Sequence, residues 1–353
     1  MSDKLSAILL NASQFETHFF QGDMSKIMPP FLIWEVCLCF DNIAAHPRFV
    51  NFSGGKDSTY LLLEMIRRDL PFEGVLNVDT GMEFPAMYDH INQVDDFLWT
   101  KRRMRITRLK PEKTFEELMF TAANTSGPDG VSGYGWPNAV VRWCTFYLKT
   151  EVIRQFKKSL CCNPYHYIAF AADEKKRLER KNSQNPMHIY PLVEWGITEA
   201  DALAGCYQAG YTWGGLYEHF SRVSCWCCPL QSLPELRNLR TYYPEIWTKL
   251  RDLDDRAIAQ FGWETAYGNF RRNESIRMLE VRFDFEKEWA QAGGNIRSRA
   301  FYQKLRDIYQ DRFDFLPAAK TSTKELLQFL TETDVSVITT SRHKKPKQKH
   351  PIR

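Results

Sequence analysis

The chain has 353 residues, of which 44% are hydrophobic and 25% are charged, and its formal net charge at pH 7 is +4. This composition is typical of a soluble globular protein, and it excludes a disordered chain, a collagen-like fibre and a low-complexity sequence. The sequence has no run of about 20 apolar residues and no basic-plus-apolar start typical of a secretory signal, so we expect a cytoplasmic protein that does not contact a membrane.

Short β-rich runs alternate with helical patterns between residues 48 and 192. This alternation predicts an α/β fold with an open, mainly parallel sheet and helices on both faces. Ligands of such sheets bind beyond the carboxyl ends of the strands. The predicted strands are Arg48–Ser53, Glu73–Asp79, Met104–Leu109, His166–Ala171 and His188–Leu192, and the predicted helices are Ser58–Arg68, Pro85–Trp99, Lys113–Phe120 and Cys144–Leu160.

A glycine-rich loop, Ser53-Gly54-Gly55-Lys56-Asp57-Ser58, follows the first predicted strand and precedes the first predicted helix. Glycines let the backbone approach a ligand closely, and amides at a helix N-terminus favour phosphate. The Lys56 ammonium and the serine hydroxyls add hydrogen-bond donors. The loop is not a Walker A motif, because Val50 stands where that motif has Gly and Asp57 stands where it has Ser or Thr. It therefore predicts a phosphate-binding loop of a class other than Walker A.

This string resembles the pyrophosphate-binding loop of the N-type ATP pyrophosphatases, the PP-loop superfamily. Within that superfamily the chain resembles the phosphoadenosine phosphosulfate reductase family, which includes sulfonucleotide reductases, the small subunit of ATP sulfurylase and DNA phosphorothioation ATPases. Val78–Pro85 looks like the family's second nucleotide loop, and Arg142–Thr145 with Lys149 resembles its basic substrate-facing segment. The resemblance covers roughly Phe49–Leu230 and implies an adenine nucleotide α-hydrolase-like fold.

A further segment, Ala172–Arg177, is similar to the family's Gly-x-Arg-x-x-Glu-x-x-Arg loop. It departs from that pattern because Ala171 and Asp173 stand near the usual Gly and Arg. The resemblance implies that Lys56, Asp57, Arg142, Lys149 and Arg177 are the catalytic candidates and that Ser53, Gly54, Gly55, Lys56, Asp57, Ser58, Asp79, Thr80 and Gly81 bind the nucleotide. The alternative for the three distal cations is that each is a solvated surface side chain.

Carboxylate oxygens suit Mg²⁺ that bridges phosphates, so Asp57 and Asp79 are candidates for holding Mg²⁺ or the nucleotide. Asp57 could instead cap the helix that follows it. The resemblance implies ATP with Mg²⁺ as the nucleotide, because family enzymes with an intact loop usually split ATP between the α and β phosphates. Reductases of the family tend to carry an altered loop.

We therefore expect a PP-loop ATP pyrophosphatase that adenylates an acceptor for sulfur transfer and releases pyrophosphate. The acceptor could be nucleic acid, with sulfide supplied by a separate cysteine desulfurase. One alternative is a sulfonucleotide reductase that forms sulfite from adenylyl sulfate or its 3′-phosphorylated form. Another is a non-catalytic nucleotide or nucleic-acid binding module.

The cysteines are clustered, and Cys225 and Cys228 form a C-x-x-C-P arrangement. That spacing lets two thiolates meet one metal centre, and a following Pro is common near iron–sulfur ligands. The resemblance adds Cys144, with Cys227 or, alternatively, Cys206 as the fourth ligand of a [4Fe–4S] cluster. Zinc in a four-cysteine site and buried free thiols are the alternatives. No cysteine follows Cys228, which disfavours the reductases that use a nucleophilic cysteine near the C-terminus.

Four parts of the chain are expected from these patterns. They are an N-terminal helical extension at 1–45, a PP-loop catalytic domain with the cysteine cluster at 46–230, a helical accessory domain at 231–340 and a basic disordered tail at 341–353. The tail holds six Lys or Arg residues and no Asp or Glu. It either contacts nucleic acid or is a solvated end.

Overall fold

The structure is a computed structural model that describes residues 46–123, 131–160, 162–263, 265, 267–271 and 274–313. The predicted N-terminal extension and the predicted basic tail lie outside the described residues. The chain divides into two compact units. One contains the residues before Asp79 together with Gln93–Leu109 and Thr150–Gly210, and the other contains Asp79–Asn92, Lys110–Lys149 and the residues from Tyr211 onward. The boundaries expected from the sequence at 45, 230 and 340 stay predictions.

The first unit is built on a five-stranded sheet in the order β3-β2-β1-β4-β5, and every neighbouring pair is parallel. The strands are β1 (Arg48–Asn51), β2 (Gly74–Val78), β3 (Ile106–Leu109), β4 (Tyr165–Tyr167) and β5 (His188–Ile189). The predicted open parallel α/β sheet is thereby confirmed. From β1 the chain adds β2 and β3 on one side of the sheet, and it then adds β4 and β5 on the other side. Right-handed crossovers in opposite directions place helices on opposite faces of the sheet. The direction changes between β1 and β4, which is the switch point of the sheet.

Helices connect the strands and make up much of the described residues outside the sheet. The α-helices of the described residues are, in chain order, α1 (Lys56–Arg67), α2 (Pro85–Arg102), α3 (Phe115–Phe120), α4 (Trp143–Thr145), α5 (Glu151–Ser159), α6 (Lys175–Leu178), α7 (Pro191–Glu194), α8 (Glu199–Gln208), α9 (Leu216–His219), α10 (Leu233–Tyr242), α11 (Pro244–Phe261), α12 (Ile276–Gln291) and α13 (Arg299–Arg312). A π-helical segment, Phe146–Thr150, joins α4 to α5. None of the helices that the structure describes combines the length and apolar character needed to cross a lipid bilayer.

Strand β2 is buried on both faces, because its adjacent residues Val75 and Leu76 point to opposite faces and both are buried. Val50 and Val75 are fully buried, and they occupy paired positions in β1 and β2. The last two strands are shorter than predicted, since β4 ends at Tyr167 and β5 at Ile189. Pro191 begins α7 instead of extending β5, because proline lacks the N–H of a strand ladder and is pre-organised for the first turn of a helix.

The C-terminal part of the second unit is helical, as predicted. Ser232 and Glu235 form a capping box at the start of α10, which buries the apolar stripe of Leu233, Leu236 and Leu239. A separate apolar cluster joins α12 to α13 and contains Met278, Phe301, Tyr302, Leu305 and Tyr309. These contacts make the region from 233 to 312 a packed helical layer.

A buried carboxylate, Asp254 on α11, ties this layer to a preceding segment of the same unit. Its Oδ1 accepts hydrogen bonds from Trp136 Nε1 at 2.9 Å and from the Phe270 amide at 2.6 Å. Its Oδ2 accepts from the Ile276 amide at 2.6 Å. Burial raises the pKa of Asp254 to about 7, against the opposing effect of these three donors.

Candidate functional site

The glycine-rich loop occupies the turn from β1 to α1, at the carboxyl end of the central strand. Gly54 has a φ of 79°, a left-handed conformation that favours glycine, and Gly55 is the N-cap of α1. The loop is braced internally by its serines. Ser58 Oγ lies 3.1 Å from Ser53 Oγ and accepts from the Ser53 amide at 3.2 Å. The first-turn amides of α1 are thus held at a fixed turn, the arrangement that suits an anion.

Lys56 is the cation of this loop, and its side chain is only 7% exposed. Its Nζ donates to Asp57 Oδ1 at 2.8 Å, to Asp57 Oδ2 at 3.0 Å and to Glu199 Oε2 at 2.6 Å. Burial lowers the pKa of Lys56, but the hydrogen bonds to the two carboxylates outweigh it, so the pKa is raised. The side chain is therefore an ammonium at neutral pH.

Asp57 is the partner of Lys56, since both of its oxygens contact the Nζ. The N-cap of α1 is Gly55 and makes no side-chain cap hydrogen bond. Burial raises the pKa of Asp57, the Lys56 ammonium lowers it, and the charges of Glu199 and Glu174 add to the increase. The loop thus contains a buried ion pair surrounded by further carboxylates.

Glu199 was not predicted as a site residue. It is the first residue of α8, which begins with a capping box between Thr198 and Asp201, and its amide donates to Asp173 Oδ1 at 3.1 Å. The Thr-x-x-Asp pattern of the sequence marks that helix start and was the available signal. Pairing with Lys56 spans 143 residues, and nothing in the local sequence indicates it.

Cys206 lies on the same helix, α8, and is buried. Its Sγ contacts the Lys56 carbonyl oxygen at 3.4 Å, and burial raises the pKa of this thiol to about 12. Cys206 belongs to the first unit, whereas Cys144, Cys225, Cys227 and Cys228 belong to the second. The structure gives the Cys206 thiol a packing role against α1.

Arg177 lies on α6, in the first unit. Its guanidinium donates to Glu174 Oε1 at 2.5 Å and stacks over the Phe170 ring at 4.1 Å. Phe170 in turn stacks on Tyr190, with ring centroids 5.2 Å apart. Arg177 is therefore held by an ion pair and an aromatic face, and it is not a freely solvated cation.

The segment predicted to be the second nucleotide loop includes Asp79–Gly81, which follows β2 in the sequence and belongs to the second unit. Asp79 Oδ1 accepts from the Gly81 amide and from the Tyr88 hydroxyl, both at 2.9 Å. Thr80 Oγ1 donates to Glu83 Oε1 at 3.2 Å. Burial and the Asp79 carboxylate raise the pKa of Tyr88, so that hydroxyl stays a donor. The segment is a turn closed by its own side chains.

The structure brings the other predicted residues together around Lys149 in the second unit. Desolvation lowers the pKa of the Lys149 ammonium, but the electrostatic effect of the nearby Cys225, Glu83, Cys144 and Cys228 side chains is opposite, and the pKa is raised. Cys225 and Cys228 lie on one turn, in which the Cys228 amide donates to the Cys225 carbonyl at 3.2 Å. The cluster is thus an ammonium among thiols.

Burial dominates the chemistry of the thiols themselves. It raises the pKa of Cys225 to about 12 and raises the pKa of Cys227, which is 2% exposed. Burial also raises the pKa of Cys228, although the charges of Arg142 and Lys149 lower it. Arg142 itself is exposed and caps the short helix α4. In these surroundings the three cysteines are neutral thiols at pH 7.

No three His, Cys, Asp or Glu side chains within the described ranges are arranged to hold a metal ion. The predicted iron–sulfur or zinc ligand set is therefore not assembled as a metal centre in this structure. At Asp57, the candidate Mg²⁺ ligand, both carboxylate oxygens contact the Lys56 ammonium.

Comparison with known proteins places this chemistry in a family. Residues 47–231, about half of the chain, match the model of the phosphoadenosine phosphosulfate reductase domain. The matched range includes the glycine-rich loop and the cysteine cluster. The family binds nucleotides, and the geometry of the β1–α1 turn agrees with binding of a phosphate group.

Two similar proteins come from Methanocaldococcus jannaschii. The uncharacterized protein MJ0066 is 26% identical over 233 residues, which cover 62% of this chain and 44% of that protein. The uncharacterized protein MJ0973 is 27% identical over 224 residues, which cover 61% of this chain and 48% of that protein. The chain thus spans about half the length of the curated relatives it matches.

Proposed function

Because the chain belongs to the phosphoadenosine phosphosulfate reductase family, we propose that it is a PP-loop ATP pyrophosphatase that cleaves ATP between the α and β phosphates. The observation that carries this proposal is the intact Ser53–Ser58 loop, with a left-handed Gly54 and a buried Lys56 at the start of a 12-residue helix. Such a turn fits a pyrophosphate group, which provides anionic oxygens for both the amides and the ammonium.

In the proposed reaction an acceptor oxygen attacks the α phosphorus, and the bond from that phosphorus to the bridging oxygen of the β phosphate breaks. The electron pair leaves on pyrophosphate, and AMP stays on the acceptor. The first-turn amides of α1 and the Lys56 ammonium stabilise the charge that grows on the leaving group. Arg177, fixed by Glu174 and Phe170, supplies a second pre-oriented cation.

Transfer of sulfur to the adenylated acceptor is the next part of the proposal. It is supported by the family and by the thiols around Lys149, which include Cys144, Cys225 and Cys228. The basic segment 341–353 supports nucleic acid as the acceptor, and a cysteine desulfurase would supply the sulfide. The iron–sulfur centre also stays a proposal, supported by the C-x-x-C-P spacing and the family. Metal analysis of anaerobically purified protein and of Cys228→Ser tests it.

A second candidate is the reduction of adenylyl sulfate or its 3′-phosphorylated form to sulfite. The observation that favours it is the position of Lys149 near the Cys144, Cys225 and Cys228 thiols, because an ammonium beside a thiol can hold an anionic sulfur group. A thiol would attack the sulfur, release the nucleotide and form a thiosulfonate, from which a second thiol releases sulfite as a disulfide forms. Sulfite production with a dithiol donor would favour this reaction over adenylation.

The test is incubation of anaerobically purified protein with ATP labelled at the α phosphate and Mg²⁺, with DNA or tRNA added in turn. We expect AMP and pyrophosphate, and we expect Lys56→Ala to abolish both. Lys158→Ala is the matched control, because Lys158 is an exposed lysine on α5 outside the loop. ATP binding without turnover under every condition would instead support a non-catalytic binding module.

A further inference from the structure

Lys56 is already fully engaged before any phosphate arrives. An ammonium has three N–H donors, and this one contacts both carboxylate oxygens of Asp57 and one of Glu199. The side chain is 7% exposed, so water does not compete for it. A phosphate oxygen that is to receive a hydrogen bond from Nζ must therefore displace one carboxylate.

The charge balance at the loop leads to the same conclusion. The Lys56 ammonium faces the carboxylates of Asp57 and Glu199, and the charge of Glu174, which is paired with Arg177, also reaches Asp57. The immediate surroundings of Lys56 thus carry more negative than positive charge. An incoming polyphosphate is repelled until one carboxylate moves away from the ammonium.

Glu199 is the carboxylate that can leave more easily. Asp57 is the next residue along the chain, holds Nζ with both oxygens, and has a side chain that is 24% exposed. Glu199 holds Nζ with one oxygen, and its side chain is 43% exposed. Rotation of Glu199 into water leaves the buried ion pair of Lys56 and Asp57 intact.

The backbone around Glu199 is fixed, so displacement concerns the side chain alone. Helix α8 packs against α1, and Gly205 allows the close approach, since a Cβ there would lie 2.1 Å from Tyr60 Cε2. The Cys206 thiol contacts the Lys56 carbonyl, and the Thr198–Asp201 capping box holds the start of α8. Glu199 is therefore presented to Lys56 at a set position.

We propose that Glu199 is an internal counter-anion: it occupies the Lys56 ammonium in the empty loop and is displaced by the β- and γ-phosphate oxygens of the nucleotide. In this role Glu199 is a positioning residue that sets the affinity of the loop for polyphosphate and speeds the release of pyrophosphate. The inference rests on the proposed function, because it assumes that the loop binds pyrophosphate.

The experiment measures binding of inorganic pyrophosphate by isothermal titration calorimetry in buffer without divalent cations, so that the ammonium is the cation tested. The full chain is used as wild type, Glu199→Gln, Lys56→Ala and Glu112→Gln. We expect Glu199→Gln to bind pyrophosphate about tenfold more tightly than wild type, which corresponds to about 1.4 kcal/mol. The increase in affinity is no larger because solvent screens the charge of the half-exposed Glu199 side chain.

Glu112→Gln is the matched control, because it removes one carboxylate from an exposed position outside α8 and the loop. We expect its affinity to stay within about twofold of wild type. A purely structural ion pair between α1 and α8 predicts the opposite sign for Glu199→Gln, since loosening the helix contact would weaken binding. A thermal melt of each variant without ligand confirms that it is folded.

The outcomes separate the inference from the proposed function. If Lys56→Ala loses binding while Glu199→Gln binds as wild type or more weakly, the loop binds pyrophosphate but Glu199 is not a counter-anion, and the inference is wrong. If wild type and Lys56→Ala bind pyrophosphate equally, the loop is not the phosphate site, and the proposed function fails first.

Discussion

Replacing Gly54 by alanine tests whether the backbone of the loop carries the phosphate chemistry. Gly54 has a φ of 79°, and an alanine in that region costs about 1–2 kcal/mol. The free energy of unfolding should fall by that amount if the loop keeps its conformation. If the loop relaxes instead, the first-turn amides of α1 turn away from the anion. Each charge-assisted hydrogen bond lost there costs about 1.5–3 kcal/mol, so two such losses weaken pyrophosphate binding about a hundredfold or more.

The matched control is Gly210→Ala, in the same unit. Gly210 has a φ of 88°, and a Cβ there would meet nothing within 4 Å, so the variant has the same backbone strain at a place outside the loop. Both variants should lose similar stability in guanidinium titrations, and only Gly54→Ala should lose pyrophosphate binding by calorimetry. A Gly54→Ala protein that binds pyrophosphate as wild type does, with the stability of Gly210→Ala, would refute the reasoning.

Three further predictions concern buried groups. Asp254→Asn places an amide nitrogen against backbone or indole N–H donors and should lower the free energy of unfolding by about 2–4 kcal/mol, measured by chemical denaturation; an unchanged value would contradict the three hydrogen bonds. Burial raises the pKa of Cys225 to about 12 against an ordinary 9.0, so its alkylation by iodoacetamide in the native protein should keep increasing above pH 9; a plateau near pH 9, as in denatured protein, would show an exposed thiol. Burial, with the charges of Lys157 and His188, lowers the pKa of His166 from 6.5 to about 3, so the unfolded state binds a proton that the folded state excludes. Stability should therefore fall by about 1 kcal/mol per pH unit as the pH drops below about 6.5, and the slope should be smaller in His166→Gln.

The strands and the loop were predictable because their signals are local. A short β-rich run such as Arg48–Asn51, followed by two glycines and then a helical pattern, defines β1, the turn and α1 within twenty residues. The helix predicted to begin at Pro85 does begin there, whereas Pro191, predicted to lie in a strand, begins α7 and leaves β5 shorter than predicted. The parallel direction of the strands followed from the alternation of strands and helices along the chain.

Long-range contacts account for what the sequence did not indicate. Glu199 contacts Lys56 only because α8 packs on α1. That packing depends on Gly205, and a single glycine in the sequence does not indicate a close helix contact. Cys206 illustrates the same point, since counting cysteines suggested a ligand and the fold places its thiol against the Lys56 carbonyl. Spacing in the sequence defines which groups can meet locally, whereas tertiary packing decides which of them do.

The most direct test of adenylation is product analysis of ATP labelled at the α phosphate, with native protein, Lys56→Ala and Lys158→Ala compared in parallel. We expect labelled AMP, free or joined to the acceptor, with native protein and Lys158→Ala and none with Lys56→Ala. Labelled ADP as the product, or AMP formation that survives in Lys56→Ala, would contradict cleavage at the α phosphate by the Ser53–Ser58 loop.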